Sequence, residues 1–171
     1  MIHFNIGSNL ETNSYSKFDN ITIAINLLIN SKVKIKKISN FFETPSYPNS
    51  KHPRFLNVGA IAEFKGDHNN LMQITKLIEK KIGRIKTIKN NPRVIDIDII
   101  DFKGLVLNST KLKLPHPKCH LRNFVLFPIL QIDPNWSHPI LKKNARFLIN
   151  KLSQKLRIEI TRLQKNANIQ I

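Results

Sequence analysis

Residues 94–100, Val-Ile-Asp-Ile-Asp-Ile-Ile, alternate apolar and acidic side chains. A period of two belongs to a β-strand with one buried face; on a helix, residues two apart diverge by about 200°. Asp96 and Asp98 therefore share one face of a strand, about 7 Å apart along it. Ile95, Ile97 and Ile99 turn to the other face and need a core. Two neighbouring carboxylates repel each other unless a cation lies between them. Magnesium is held by one or two carboxylates plus substrate phosphates, and two metals about 4 Å apart also fit such a pair. Taken alone, the motif fits a solvent-facing strand with lysine partners better than a metal site, because it is short and frequent.

The core that this strand needs is written upstream. Residues 2–6 read as a first strand, closed by the turn residues Gly7-Ser8-Asn9. Phe18, Ile21, Ala24, Ile25 and Leu28 recur at helical spacing across 17–30. Residues 33–43 read as a long, bulged strand, and 55–64 as the next one. Between them Pro45, Pro48 and Pro53 make 44–54 a loop. Residues 68–82 form a second amphipathic helix that Gly83 caps. The order strand-helix-strand-strand-helix-strand predicts an α+β fold in a split βαβ arrangement, an antiparallel sheet with helices on one face. Short strands are expected near 105–107 and 111–114, and helices over 122–130 and 143–154. The final residues, 155–171, are expected as a short strand or a loosely packed tail. With no internal repeat and no linker, 1–171 reads as one domain.

Composition narrows the class. No apolar run approaches the ~20 residues of a membrane span, and the first residues lack a secretory pattern. Cys119 stands alone, so no internal disulfide forms, and an incidental thiol in a reducing cytoplasm is the expectation. The net charge of +17 suggests a polyanion partner. However, the lysines spread along the whole chain, and Ile, Lys and Asn share A/T-rich codons. Compositional drift accounts for the charge more simply than nucleic acid does, and no RNA-binding signature or basic stripe is present.

Other residues give the aspartate pair its context. Only seven of the 28 cationic residues are arginines, yet Arg84 and Arg93 bracket the basic loop before the strand, with Lys86 and Lys89 between them. Guanidinium groups pair bidentately with phosphate, so these positions point to phosphoryl chemistry. His116 sits between Pro115 and Pro117, with Arg122 opening the following helix, which suits a second anion contact. Thr44, Tyr47, Phe55 and Asn57 combine aromatic surfaces with an amide and a hydroxyl, a mix suited to a flat heteroaromatic ring or to plain core packing. No G-x-x-x-x-G-K-[ST], G-x-G-x-x-G, G-x-S-x-G or C-x-x-C motif occurs.

In this order the pieces resemble the 6-hydroxymethyl-7,8-dihydropterin pyrophosphokinases of folate synthesis. The resemblance rests on Ile6-Gly7-Ser8-Asn9-Leu10, Thr44-Pro45, Phe55-Leu56-Asn57, Ile78-Glu79 and Gly83-Arg84. It continues with Pro92-Arg93-x-Ile95-Asp96-Ile97-Asp98-Ile99, Leu114-Pro115-His116-Pro117, Arg122-x-Phe124-Val125-Leu126 and Pro128. It implies a ferredoxin-like fold and transfer of pyrophosphate from ATP to the pterin hydroxymethyl group, releasing AMP. By the same resemblance Asp96 and Asp98 bind two Mg²⁺ ions, and Arg84 and Arg93 steady the charge during transfer. Glu79, Lys86, Arg93, Ile99, Lys111, His116 and Arg122 are expected along ATP. Thr44, Pro45, Tyr47, Phe55, Asn57, Asp96 and Phe124 are expected around the pterin. Asn90 and Asn91 stand where some members carry an aromatic residue, and Lys86 and Lys111 where some carry arginine. Asp101 breaks the usual apolar run and, by strict alternation, falls on the face opposite Asp96 and Asp98. The expectation is a cytoplasmic monomer acting on small molecules; the alternatives are a polyanion binder and an inactive relative on the same fold.

Overall fold

The computed structural model describes residues 1–85 and 91–166. Strand β1 (Ile2–Ser8) leads into helix α1 (Lys17–Asn30), whose start is fixed by a capping box between Ser16 and Asp19. Strands β2 (Lys34–Ile38) and β3 (Asn40–Thr44) follow, then β4 (Phe55–Glu63) and helix α2 (His68–Ile82). Strand β5 (Asp96–Phe102) carries the alternating aspartates. The expected long strand over 33–43 is interrupted at Ser39, which exchanges hydrogen bonds with the backbone of Gly59 in β4.

The sheet order is β5-β1-β4-β3-β8, with β2 on the remaining half of β4, and every pairing is antiparallel. With β2 and β3 counted as one broken strand, the first five elements of the sheet have the ferredoxin-like order. A small hairpin, β6 (Leu107–Asn108) and β7 (Lys113–Leu114), lies outside the edge strand β5. Helices α3 (Asn123–Ile132), α4 (Ala145–Lys151) and α5 (Gln154–Ile158) come next, and β8 (Thr161–Asn166) ends the described chain.

Helices cover both faces of the sheet, which corrects the expectation of helices on one face. Ile21, Leu28, Leu71 and Ile78 from α1 and α2 bury Phe4, Ile6, Ile97 and Ile99 on one side. Val125, Leu126, Ile129 and Leu148 from α3 and α4 enclose Ile100 and Trp136 on the other. The second layer exists because α3 is apolar nearly all round and needs cover on two sides. The helix expected over 143–154 is two, broken at Leu152 and Ser153. Of the two readings for 155–171, a short strand or a loosely packed tail, the strand is the one found as far as residue 166: after a helical turn, β8 pairs to β3. No helix among the described residues is long and apolar enough to cross a membrane.

A β-bulge at Ile100 decides which way the acidic residues point. The register runs Gly7↔Asp96, Asn5↔Asp98 and then His3↔Asp101, skipping one residue of β5. The bulge reverses the expected alternation, so Asp101 shares the face of Asp96 and Asp98. It is sequestered there: Trp136 Nε1 donates to it at 2.9 Å and Gly104 N at 2.8 Å, and His3 lies 3.9 Å away. It therefore stays separate from the paired aspartates, as the sequence reading required, but through burial and not through facing away.

Candidate active site

The acidic corner is assembled from both ends of the edge strand β5. Helix α2 ends on Gly83 at φ 102°, a left-handed cap that costs other residues steric strain. The cap reverses the chain so that Arg84 N donates to Glu79 O, and the Arg84 side chain returns to Asp96 Oδ1 at 2.6 Å. Arg84 also pairs with Glu79, whose Oε1 accepts from Ile97 N at 2.8 Å on the open edge of β5. Arg93 approaches the other oxygen of Asp96 at 3.4 Å and lies 5.5 Å over the Phe55 ring. Arg122 stands 3.4 Å from both Asp98 Oδ2 and His116 Nε2, and 5.4 Å over Phe124. Three guanidiniums thus converge on two carboxylates.

Burial and close charges shift the titration of this corner's side chains. Burial, then the neighbouring Asp96 carboxylate, push Asp98 up to about 7, despite the arginines that oppose them. Burial also raises Glu79. Burial by itself would lower Arg84, but the Asp96 and Glu79 charges outweigh it and raise the guanidinium. Burial, then Arg122, push His116 down to about 4, so in this state its imidazole is neutral at physiological pH.

Beside this corner lies a cavity of about 220 Å³ between α2 and the β6–β7 hairpin. Its walls include Glu79, Arg84, Asp96, Asp98, Ile99, Lys111 and His116. Most of the residues expected along ATP are thus gathered around one space; Lys86 lies outside the described residues. His116 is anchored there by its backbone N–H, which donates to Ile100 O at 2.8 Å.

On the other side of Asp96 the sheet carries a polar row. Asp96, Gly7, Asn57 and Phe42 are cross-strand neighbours on β5, β1, β4 and β3. Asn57 is buried; its Nδ2 donates to Thr44 Oγ1 at 3.4 Å, and its Oδ1 accepts from Asn5 Nδ2 at 3.4 Å. Gly7 makes room for the Asn57 carboxamide, since a Cβ there would sit 2.7 Å from Asn57 Oδ1. Asp96 and Asn57 thus stand about two strand spacings (~10 Å) apart on one face of the sheet, with Gly7 between them. Phe55 and Phe124 border this row beneath Arg93 and Arg122, and Pro45 is half-buried next to Thr44. Tyr47 is not brought into this group: it is 84% exposed on the Pro-rich loop.

Two residues of the site escaped the sequence reading. Asn9, read as part of a tight turn, is buried and ties three loops together. Its Oδ1 accepts from Arg93 N at 2.7 Å, its Nδ2 donates to Ser46 Oγ and Pro53 O, and its own N–H donates to Arg93 O. Asn5 lies beside Asp98 on the same face. The signal was present in β1, where His3, Asn5 and Gly7 alternate with Ile2, Phe4 and Ile6 and mark a polar face inside a buried strand.

A second set of metal-type ligands, Cys119, His120 and His138, clusters within 4.8 Å among the described residues. Nδ1 of His138 accepts from Ile140 N and Leu141 N. Burial pushes the Cys119 thiol up to about 12.

Comparison with known proteins places these residues in a family. The model of the 7,8-dihydro-6-hydroxymethylpterin-pyrophosphokinase (HPPK) family matches residues 3–134. The chain belongs to this family. It is 37% identical over 111 residues to the 2-amino-4-hydroxy-6-hydroxymethyldihydropteridine pyrophosphokinase of Aquifex aeolicus, spanning 65% of this chain and 69% of that protein. It is 34% identical over 141 residues to the folic acid synthesis protein FOL1 of Dictyostelium discoideum, covering 82% of this chain but only 21% of the relative. A crystal structure of Plasmodium falciparum HPPK-DHPS shares the fold, with TM-score 0.70 at 15% identity over 94% of this chain and 47% of that one. The chain therefore spans a fifth to about two thirds of these relatives' lengths.

Proposed function

We propose that the chain transfers a pyrophosphoryl group from ATP to the hydroxymethyl group of 6-hydroxymethyl-7,8-dihydropterin, releasing AMP, as a step of folate biosynthesis. The observation that carries this reading is the arrangement around Asp96. A carboxylate pair under three arginines borders a cavity on one side and, on the other, a row across the sheet that ends in the buried Asn57 amide beside Thr44. A triphosphate fits the first direction, and a flat bicyclic ring fits the second. The hydroxyl oxygen would bond to the β-phosphorus while the bridge to the α-phosphorus breaks and leaves with AMP; the hydroxyl proton passes to solvent.

The donor set suits Mg²⁺. Both ligands are carboxylates, the hard oxygen type this ion prefers, and burial together with the Asp96 charge disfavours the ionised form of Asp98, which a bound cation would offset. We assign Asp96 and Asp98 as ligands of two Mg²⁺, which when bound would neutralise phosphate charge and help ionise the attacking hydroxyl. Arg84 and Arg93 would then exchange their carboxylate partners for phosphate oxygens. Glu79 holds Arg84 and the strand edge in place. Ile99 offers apolar surface for the adenine, and Lys86, Lys111, His116 and Arg122 contact the phosphates and ribose. Asn57 and Thr44 would read the pterin edge, with Pro45, Phe55 and Phe124 packed on its faces and Tyr47 closing from the loop. The protein's work is positioning and electrostatics, with no covalent intermediate. The same reading takes residues 1–171 as one domain acting as a cytoplasmic monomer on small molecules.

The test is the product. With ATP, Mg²⁺ and 6-hydroxymethyl-7,8-dihydropterin, separation of the nucleotides should yield AMP in step with pterin consumed. ADP, or unchanged ATP, contradicts the proposal.

A further inference from the structure

The segment after α4 lies beyond the residues that the family model matches, yet it is tied to the pterin side of the site at three points. First, Leu156 O accepts from Asn123 Nδ2 at 2.7 Å, while Asn123 Oδ1 accepts from Phe124 N at 2.7 Å. A hydrogen-bonded path thus runs from α5 to the backbone of Phe124. Second, Glu159 O accepts from Arg54, whose Nε donates to Glu43 at 3.0 Å. Arg54 precedes Phe55, and Glu43 precedes Thr44. Third, β8 pairs along β3 with Thr161 opposite Glu43 and Arg162 opposite Phe42, and Arg162 Nη2 donates to Asn40 Oδ1 at 2.9 Å.

We infer that Gln154–Asn166 is a positioning wall for the pterin half of the site, an inference that rests on the function proposed above. The physical argument is what β3 becomes without it. Thr44 sits at the end of β3, and with β8 removed that strand is the sheet edge, with unpaired backbone groups and fewer constraints on its last residues. With β8 in place β3 is interior, and the neighbours of Thr44, Phe55 and Phe124 are each held by the same short segment. None of these ties reaches the cavity lined by Glu79, Lys111 and His116. The segment therefore acts on one substrate and not on the other, and its residues position pocket side chains without touching the reacting atoms.

The experiment compares the intact chain with two variants: one ending at Ser153, and the full-length Arg54→Ala/Arg162→Ala double variant, which keeps the strand but removes two side-chain ties. Steady-state AMP formation gives the two KM values, and titration of pterin fluorescence gives its Kd independently of turnover. The expected result is a rise of about tenfold in pterin KM and Kd, with ATP KM changed less than about twofold and the melting temperature of the double variant nearly unchanged. Unchanged pterin Kd in the double variant, or equal loss for both substrates alongside a lowered melting temperature, overturns the inference. If the intact chain binds pterin but makes no AMP, the proposed reaction fails, while the pterin titration still decides the role of the wall.

Discussion

One face of β5 carries two carboxylate sites that differ in almost every physical respect. At one end Asp101 is buried, receives hydrogen bonds from neutral donors on Trp136 and Gly104, and has His3 as its cross-strand neighbour. At the other end Asp96 and Asp98 face a cavity, are approached by arginine side chains, and have Gly7 and Asn5 beside them. The first site is satisfied within the fold. The second is not: Asp98 is held up near 7 because burial and Asp96 disfavour its charge. Same residue type, same strand and same face, yet one set stabilises the protein and the other leaves an electrostatic deficit that a ligand can repair. The bulge at Ile100 keeps both on that face.

The sharpest way to break this contrast is to remove one acid from each end. Asp96→Ala should lower AMP formation by about 10³-fold or more, since it deletes a metal ligand and the anchor of Arg84 and Arg93. Circular dichroism and melting should be close to those of the parent. Asp101→Ala should do the reverse. Leaving Trp136 Nε1 and Gly104 N without their acceptor should cost about 2–4 kcal/mol of stability by urea unfolding, with turnover largely kept under conditions where the variant is folded.

Asp98→Asn makes a finer distinction. The folded carboxyl titrates near 7, against an ordinary 3.8. Between about pH 4 and 7 the folded chain holds a proton that the unfolded chain has lost. This group therefore subtracts stability progressively as pH rises through that window, and subtracts it fully above 7. Asp98→Asn should abolish activity yet raise the melting temperature of the ligand-free protein at pH 8, by roughly 2–4 °C for each ~1 kcal/mol relieved. The gain should vanish near pH 4. A variant that melts lower than the parent at pH 8 would show that the arginines already satisfy this site. The smallest effect is expected at Gly7→Ala, whose Cβ would press on the Asn57 amide. Pterin KM should rise severalfold with ATP KM unchanged; pterin KM equal to the parent's would mean the Asn57 amide does not contact the pterin.

Much of this contrast could be read from residue order. The alternation through Asp96 and Asp98 and the helical spacing of 17–30 and 68–82 are strong local signals, and the described elements fall there. The bulge was not legible, because one extra residue in a run of isoleucines leaves no mark in the sequence; Asp101 was misplaced for that reason. Strand β8 was legible only as one of two readings of the tail. Thr-Arg-Leu-Gln-Lys-Asn lacks a run of alternating apolar residues, and it is a strand because β3 offers an open edge. Asn9 looked like turn chemistry, since only the tertiary fold brings Arg93, Ser46 and Pro53 to its carboxamide. Local patterns report burial and period; contacts between distant loops leave no periodic trace.

Phosphorus NMR of a single reaction tests the central claim most directly. Parent chain, ATP, Mg²⁺ and 6-hydroxymethyl-7,8-dihydropterin should give AMP and a pterin diphosphate ester in equal amounts, and the Asp96→Ala protein, folded to the same extent, should give neither. Formation of ADP by the parent, or undiminished product from Asp96→Ala, would contradict the assignment of this corner as the centre of pyrophosphoryl transfer.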